Sequence, residues 1–257
     1  MTIFYHRRTA YGRLLVVGTE SIKMGSPRRM MLKPALLSPT AADLSRRASF
    51  LYGGAGSFGA KTQIWRPYIC PFELLLDLIP QGSTVLDAGC GAGLWLALLA
   101  DAGRIRSGWG FDSSGEAIAL AQRAVAKLTR PIPITFRLGD ILGAWPNETF
   151  QAVSLIDVLH HIPVDSREYV LTQAVEHTCP GGVLLVKDMA TRPAYKAWCN
   201  QLHDLLLAHQ WIEHMPAENI DAWARSKNLT RVAAGSASRL WYAHEWRAFQ
   251  RPPAARS

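Results

Sequence analysis

Residues Asp87–Gly93 (DAGCGAG) combine an acid with three alternate glycines, Gly89, Gly91 and Gly93, and could bind a nucleotide-like ligand. A short apolar run precedes them and an apolar helical pattern, Leu94–Ala100, follows at once. The segment therefore reads as strand, tight turn, helix. Glycine at such a bend lets the backbone turn sharply and lets a ligand approach closer than a Cβ would permit. A dinucleotide fingerprint, G-x-G-x-x-G, would need its third glycine at position 94, which is Leu94. A phosphate-cradling loop would need Gly-Lys-Ser/Thr, which is also missing. A carboxylate at Asp87 repels a pyrophosphate and suits a ligand that carries positive charge.

Three more acids close apolar runs further along: Asp112 after Gly108, Asp140 after Ile134–Leu138, and Asp157 after Ala152–Ile156. Ligands of open α/β sheets sit outside the carboxyl ends of the strands, so these acids form one set with Asp87. With the D-x-G-x-G-x-G turn they give residues 65–250 a resemblance to the class I S-adenosylmethionine-dependent methyltransferases. The resemblance implies S-adenosylmethionine as cofactor, bound by Asp87, Gly89, Cys90, Gly91 and Gly93 at the turn. It implies that Asp112, with Ser113 beside it, meets the ribose hydroxyls. It also implies that Asp140 and Ile141 meet the adenine, and that Asp157 stands where donor and acceptor meet. Arg66, in the aromatic segment before the first strand, is the candidate partner of the donor's methionine carboxylate. Cys90 also reads simply as a small packing side chain.

The loop after the fourth strand, Asp157-Val158-Leu159-His160-His161-Ile162-Pro163, is where acceptor chemistry differs within such a family. Val158 and Leu159 break the Asn/Asp-Pro-Pro-Tyr/Phe pattern of enzymes that methylate exocyclic amines of nucleic acids. No cysteine lies near to act as a nucleophile. The loop is similar to those of the small-molecule and lipid-directed branch. Where the acceptor is a hydroxyl, a base helps as the proton leaves, and imidazole is matched to neutral pH. His161 is the favoured base and His160 the other, with packing or helix capping the competing reading of each. Tyr195, Trp211, His214 and Tyr242 are the candidate acceptor wall. No histidine or cysteine spacing suggests a metal.

Positioning these residues requires alternating strands and helices, which predicts an α/β fold with a doubly wound, mostly parallel seven-stranded sheet (Rossmann-like). The strands are expected at Thr84–Asp87, Gly108–Asp112, Ile134–Leu138, Ala152–Ile156 and Val183–Lys187. A closing hairpin is expected, Thr230–Ala234, a turn at Gly235-Ser236, and Arg239–Gln250, whose last strand is antiparallel. Residues 190–227 read as a helical, lid-like insert.

Composition divides the chain. Its net charge is +8, but residues 1–50 hold nine Lys/Arg against Glu20 and Asp43, so the basic character belongs to the start. Residues 1–51 are expected to be a basic, poorly ordered arm and residues 52–257 the catalytic domain. The near-neutral body argues against a nucleic-acid partner. No run approaches the length of a membrane span, and the scattered cysteines suit a reducing, cytoplasmic setting. The expected function is methylation, on oxygen or carbon, of a small or lipid-like molecule. The alternatives are an RNA or protein methyltransferase that uses the basic arm, and a non-catalytic donor-binding protein.

Overall fold

The computed structural model describes residues 39–190 and 215–254. Helix α1 (Ala41–Tyr52) opens with a capping box, in which the Thr40 hydroxyl accepts from the Asp43 N–H (3.2 Å) and the Asp43 carboxylate accepts from the Thr40 N–H (2.9 Å). Helix α2 (Phe58–Ile69) is capped by Ser57, whose hydroxyl accepts from the Ala60 N–H. A short helix α3 (Phe72–Leu75) runs into a 3₁₀ turn and leads to β1 (Ser83–Ala88). Then follow α4 (Leu94–Asp101), β2 (Ile105–Asp112), α5 (Gly115–Val125), β3 (Ile134–Leu138) and β4 (Phe150–Ile156). After a 3₁₀ turn at Leu159–His161 come α6 (Val164–Glu176) and β5 (Thr178–Met189). The described chain ends with α7 (Ala217–Ser226), β6 (Thr230–Arg239) and β7 (Tyr242–Gln250).

The sheet order is β3-β2-β1-β4-β5-β7-β6, with β1 to β5 parallel and β7 antiparallel to both of its neighbours. The expected fold class is therefore observed. Chain order reverses between β1 and β4, so the crevice at their carboxyl ends is the switch point where a ligand can enter. One apolar cluster, containing Leu51, Leu75, Leu96 and Leu185, gathers α1 to α5 on one face. The other, containing Val153, Leu171, Trp223 and Phe249, gathers α6 and α7 on the opposite face. Helix α4 buries every residue from Leu94 to Ala100, which is why its sequence is apolar all round.

Four differences from the sequence reading have clear physical causes. The packed fold includes α1, ahead of the expected boundary at residue 52, because Leu44, Ala48, Leu51 and Tyr52 form a buried stripe. Helix α7, counted with the lid-like insert, turns Ile220, Trp223 and Ala224 into the second cluster and is a core helix. The hairpin turn lies at Leu240-Trp241, with Leu240 left-handed (φ 52°), and not at Gly235-Ser236. Gly235 is instead a strand residue paired with Trp246, and a Cβ there would overlap the indole. Strand β5 extends the expected Val183–Lys187 at both ends, to Thr178 and Met189, and so takes in Asp188, which like Lys187 is a buried charged group.

Candidate active site

The glycine turn is built by backbone bonds. The N–H groups of Gly89 and Cys90 both donate to the Phe111 carbonyl of β2, at 2.9 and 3.0 Å. Gly89, Gly91 and Gly93 all have positive φ, 72°, 52° and 74°, so each needs glycine's freedom. Their surroundings differ. A Cβ on Gly89 would lie 2.7 Å from a Val158 methyl, and one on Gly93 would lie 2.6 Å from the Phe136 ring and 2.8 Å from the Ala121 methyl. Gly91 faces open space, with only the Arg66 guanidinium at 3.9 Å.

A cleft of about 740 Å³ opens at this point. Among the expected donor-site residues, Gly89, Gly91, Asp112, Ser113, Asp140, Ile141, Asp157 and Arg66 line it. Asp87, Cys90 and Gly93 do not. Asp87 is only 2% exposed and accepts a 2.7 Å hydrogen bond from the Ser154 hydroxyl of β4. Its carboxyl is pushed up to about 7 by burial, against the opposing effects of Ser154 and Arg66. The buried Cys90 thiol is likewise pushed up by burial and holds no nucleophilic thiolate at neutral pH.

Each strand end presents its carboxylate with a defined backbone tie. Asp112 accepts from the Gly91 N–H (2.8 Å) with one oxygen and from the Ser114 N–H (2.9 Å) with the other, which joins the glycine turn to the start of α5. Both oxygens keep a lone pair for a ligand hydroxyl. Asp140 accepts from the Leu142 N–H at 2.9 Å, and the Trp145 indole N–H donates to the Ile141 carbonyl, which fixes that loop.

Asp157 is left-handed (φ 56°), unusual for a residue with a Cβ, and sits between two cations. The buried Lys187 ammonium donates to one carboxylate oxygen, and Arg66 reaches the other at 3.3 Å. Burial works to raise the Asp157 carboxyl, but Lys187 and then Arg66 outweigh it and hold the group below the usual carboxylate range.

The two adjacent histidines have different settings. His160 is buried yet lines the cleft, with its Nδ1 against the Asp188 carboxylate and its backbone N–H donating to the same group at 3.0 Å. Burial opposes the charge on Asp188, but the facing His160 keeps its carboxyl below the usual range. His161 is exposed at the rim, its ring tilted by 47° to that of its neighbour with centroids 4.0 Å apart. The wall also includes Ile69, Ile162, Pro163, Met189 and Tyr242. Tyr242 was expected there; Tyr195, Trp211 and His214 lie outside the described residues.

Sequence reasoning missed Lys187 and Asp188, which are central here. The signal was present: a Lys-Asp pair at the carboxyl end of an apolar run, on the strand next to β4.

A doubly wound sheet with an antiparallel β7, and a glycine turn ringed by strand-end carboxylates, defines a methyltransferase of the class I type. The chain belongs to the Methyltransferase domain family, whose pattern matches residues 63–234. It is 28% identical over 167 residues to the 2-methyl-6-phytyl-1,4-hydroquinone methyltransferase of Synechocystis sp.. That match covers 62% of this chain but only 49%, about half, of the relative. It is 29% identical over 192 residues to the ubiquinone biosynthesis O-methyltransferase of Paramagnetospirillum magneticum, covering 71% of this chain and 69% of that one. In fold it is similar to an O-methyltransferase family protein from Burkholderia thailandensis, with a TM-score of 0.61 at 21% identity over 76% of this chain and 58% of that one. It is also similar to magnesium protoporphyrin IX methyltransferase from Synechocystis PCC 6803 with bound SAH, with a TM-score of 0.60 at 20% identity over 80% and 93% of the two chains.

Proposed function

We propose that this chain is an S-adenosylmethionine-dependent methyltransferase that acts on a hydroxyl group of a small, largely apolar molecule. The observation that carries the reading is the make-up of the cleft. It is lined both by carboxylates, Asp112, Asp140 and Asp157, and by the Asp188-held His160 with the apolar or aromatic Ile69, Ile162, Pro163, Met189 and Tyr242. The names of the two curated relatives, one a hydroquinone methyltransferase and one an O-methyltransferase of ubiquinone biosynthesis, support an acceptor of this kind.

The residues present suit the donor. Gly91 offers a surface without a Cβ, Asp112 offers acceptors for ribose hydroxyls, and Asp140 with Ile141 offers one polar and one apolar face for the adenine. Arg66, beside Gly91, is the partner for a carboxylate. When bound, S-adenosylmethionine supplies a methyl carbon carried on a sulfonium leaving group. The acceptor oxygen then forms a bond to that carbon as the carbon–sulfur bond breaks, so holding the two in line supplies most of the acceleration. The Asp188 carboxylate opposite Nδ1 selects the tautomer with hydrogen on Nδ1, so Nε2 of His160 is the basic nitrogen and takes the hydroxyl proton. This shifts the preferred base from His161 to its neighbour. His161 remains at the rim as a contact for the acceptor. Burying the acceptor against the apolar wall excludes competing water.

The test is release of S-adenosylhomocysteine with a panel of catechols and hydroquinones, with and without isoprenoid tails. Turnover should require a free hydroxyl and improve with the apolar tail. His160→Ala should lower turnover roughly 10²- to 10⁴-fold at unchanged donor affinity, whereas Asp112→Ala should weaken donor binding. Methylation of RNA or peptide with none of the phenols turned over would overturn the reading.

A further inference from the structure

Lys187 is fully buried beneath the cleft and does not line it. It lies on the β5 face that packs toward α2, in register with Trp246 of β7. Its ammonium donates to Asp157, and the Cys70 thiol, Arg66 and His244 complete its charged and titratable surroundings. Asp157 is tied to Lys187 twice, because the Asp157 N–H also donates to the Lys187 carbonyl at 2.9 Å. Stability alone is a weak reason to retain such a pair, because a buried ion pair can often be replaced by apolar residues at little or no cost. What Lys187 does achieve is local. It holds one oxygen of a left-handed aspartate from below, at the head of the loop that carries His160 and His161, while the carboxylate lines the cleft above.

We infer that Lys187 is a positioning residue for methyl transfer: from outside the cleft it pins the Asp157 carboxylate, charged and aimed, at the floor of the donor site. This rests on the reading of Asp157 as part of that site. Lys187 touches neither donor nor acceptor and acts entirely through Asp157. The charged and titratable groups facing Asp157 are Lys187 from β5, Arg66 from α2, His244 from β7, and His160 from its own loop, with Asp188 behind His160. Burial and the Lys187 charge push His244 down to about 3, so it stays neutral and cannot replace the ammonium. Without Lys187 the burial of Asp157 would be opposed by Arg66 and, more weakly, by His160, and the carboxylate would take up a proton at a higher pH.

Isothermal titration of S-adenosylmethionine into the full chain tests this. The proteins are wild type, Lys187→Met, Asp157→Asn and the double variant, each measured near neutral and at mildly acidic pH. Asp87 titrates in the same range in every protein, so the comparison is between profiles and not within one. Lys187→Met should bind donor about tenfold more weakly, and the loss should deepen on the acid side relative to wild type. Asp157→Asn should weaken binding at both pH values, and adding Lys187→Met to it should cause no further loss. Should the single Lys187→Met variant not fold, Asp157→Asn against the double variant, which buries no unpaired charge, still decides the question. Losses that add in the double variant, or a Lys187→Met profile parallel to wild type, would overturn the role of Lys187. Wild-type affinity in Asp157→Asn would instead overturn the assignment of Asp157 to the donor site.

Discussion

Asp87, expected at the donor site, lies near the end of β1 as a buried carboxyl that does not line the cleft. Its position at the end of β1 suggested a ligand contact, yet its carboxyl is buried against Ser154 and carries a value of about 7. The folded group therefore keeps a proton that the unfolded chain loses near its ordinary value of 3.8. Between those two values rising pH favours the unfolded state, and above the upper one the full penalty remains. Asp87→Asn removes the penalty while leaving Ser154 an acceptor. Thermal melts should show the variant more stable than wild type by on the order of 4 kcal/mol at about pH 8, with the gap closing toward about pH 4. A constant gap across the range would mean that Asp87 is not the titrating group. The four strand-end acids and both histidines were legible at this scale because position along a strand is local information. That Asp87 faces the protein interior while Asp112 and Asp140 face the cleft depends on contacts with β4 and α5, which local pattern does not carry.

At the scale of elements, the glycine turn and the closing hairpin behave differently. The turn was legible because three glycines between an apolar strand and an apolar helix leave few other conformations. Their reasons are less uniform than the pattern suggests: Gly93 is small because Phe136 and Ala121 press on it, while Gly91 opens to the cleft. Gly93→Ala combines a left-handed backbone with a steric clash, whereas Gly103→Ala has the same backbone problem (φ 63°) and nothing within 4 Å. Urea unfolding should give a loss of about 3 kcal/mol or more for the first and about 1–2 kcal/mol for the second. Equal losses would show that packing at Gly93 has relaxed. The hairpin misled because Gly235-Ser236 carries turn residues, yet Gly235 is there for the Trp246 ring that crosses it from β7. A missing Cβ looks the same in sequence whether it makes room for a turn or for a neighbour.

At the scale of the whole molecule, burial and not charge decides that α1 is part of the described fold. The basic residues Arg46 and Arg47 made α1 look like part of the arm, but the opposite side of the same helix carries Leu44, Ala48, Leu51 and Tyr52 into the first core. The Tyr52 hydroxyl donates to the Ala92 carbonyl at 2.7 Å, so α1 supports the glycine turn directly. A chain starting at Pro39 should keep its melting temperature and donor affinity. One starting at Gly53 forfeits that packing, about 5 kcal/mol or more by apolar area, and should be largely unfolded by circular dichroism. A stable, donor-binding chain from Gly53 would show that α1 is dispensable. Among the described residues no helix is long and apolar enough to cross a membrane.

The sequence by itself determined the class of protein: alternating strands and helices, a glycine turn with an acid before it, and acids closing successive strands. Those features are local in the chain, and the parallel topology then gathers them at one edge of the sheet. The tertiary structure decided which side chains meet. Lys187 beneath Asp157 and Asp188 behind His160 join residues of β5 to the loop after β4, 30 and 28 positions apart in the chain. Only sheet register and burial bring them within hydrogen-bond reach, and burial is what makes a buried charge require a partner.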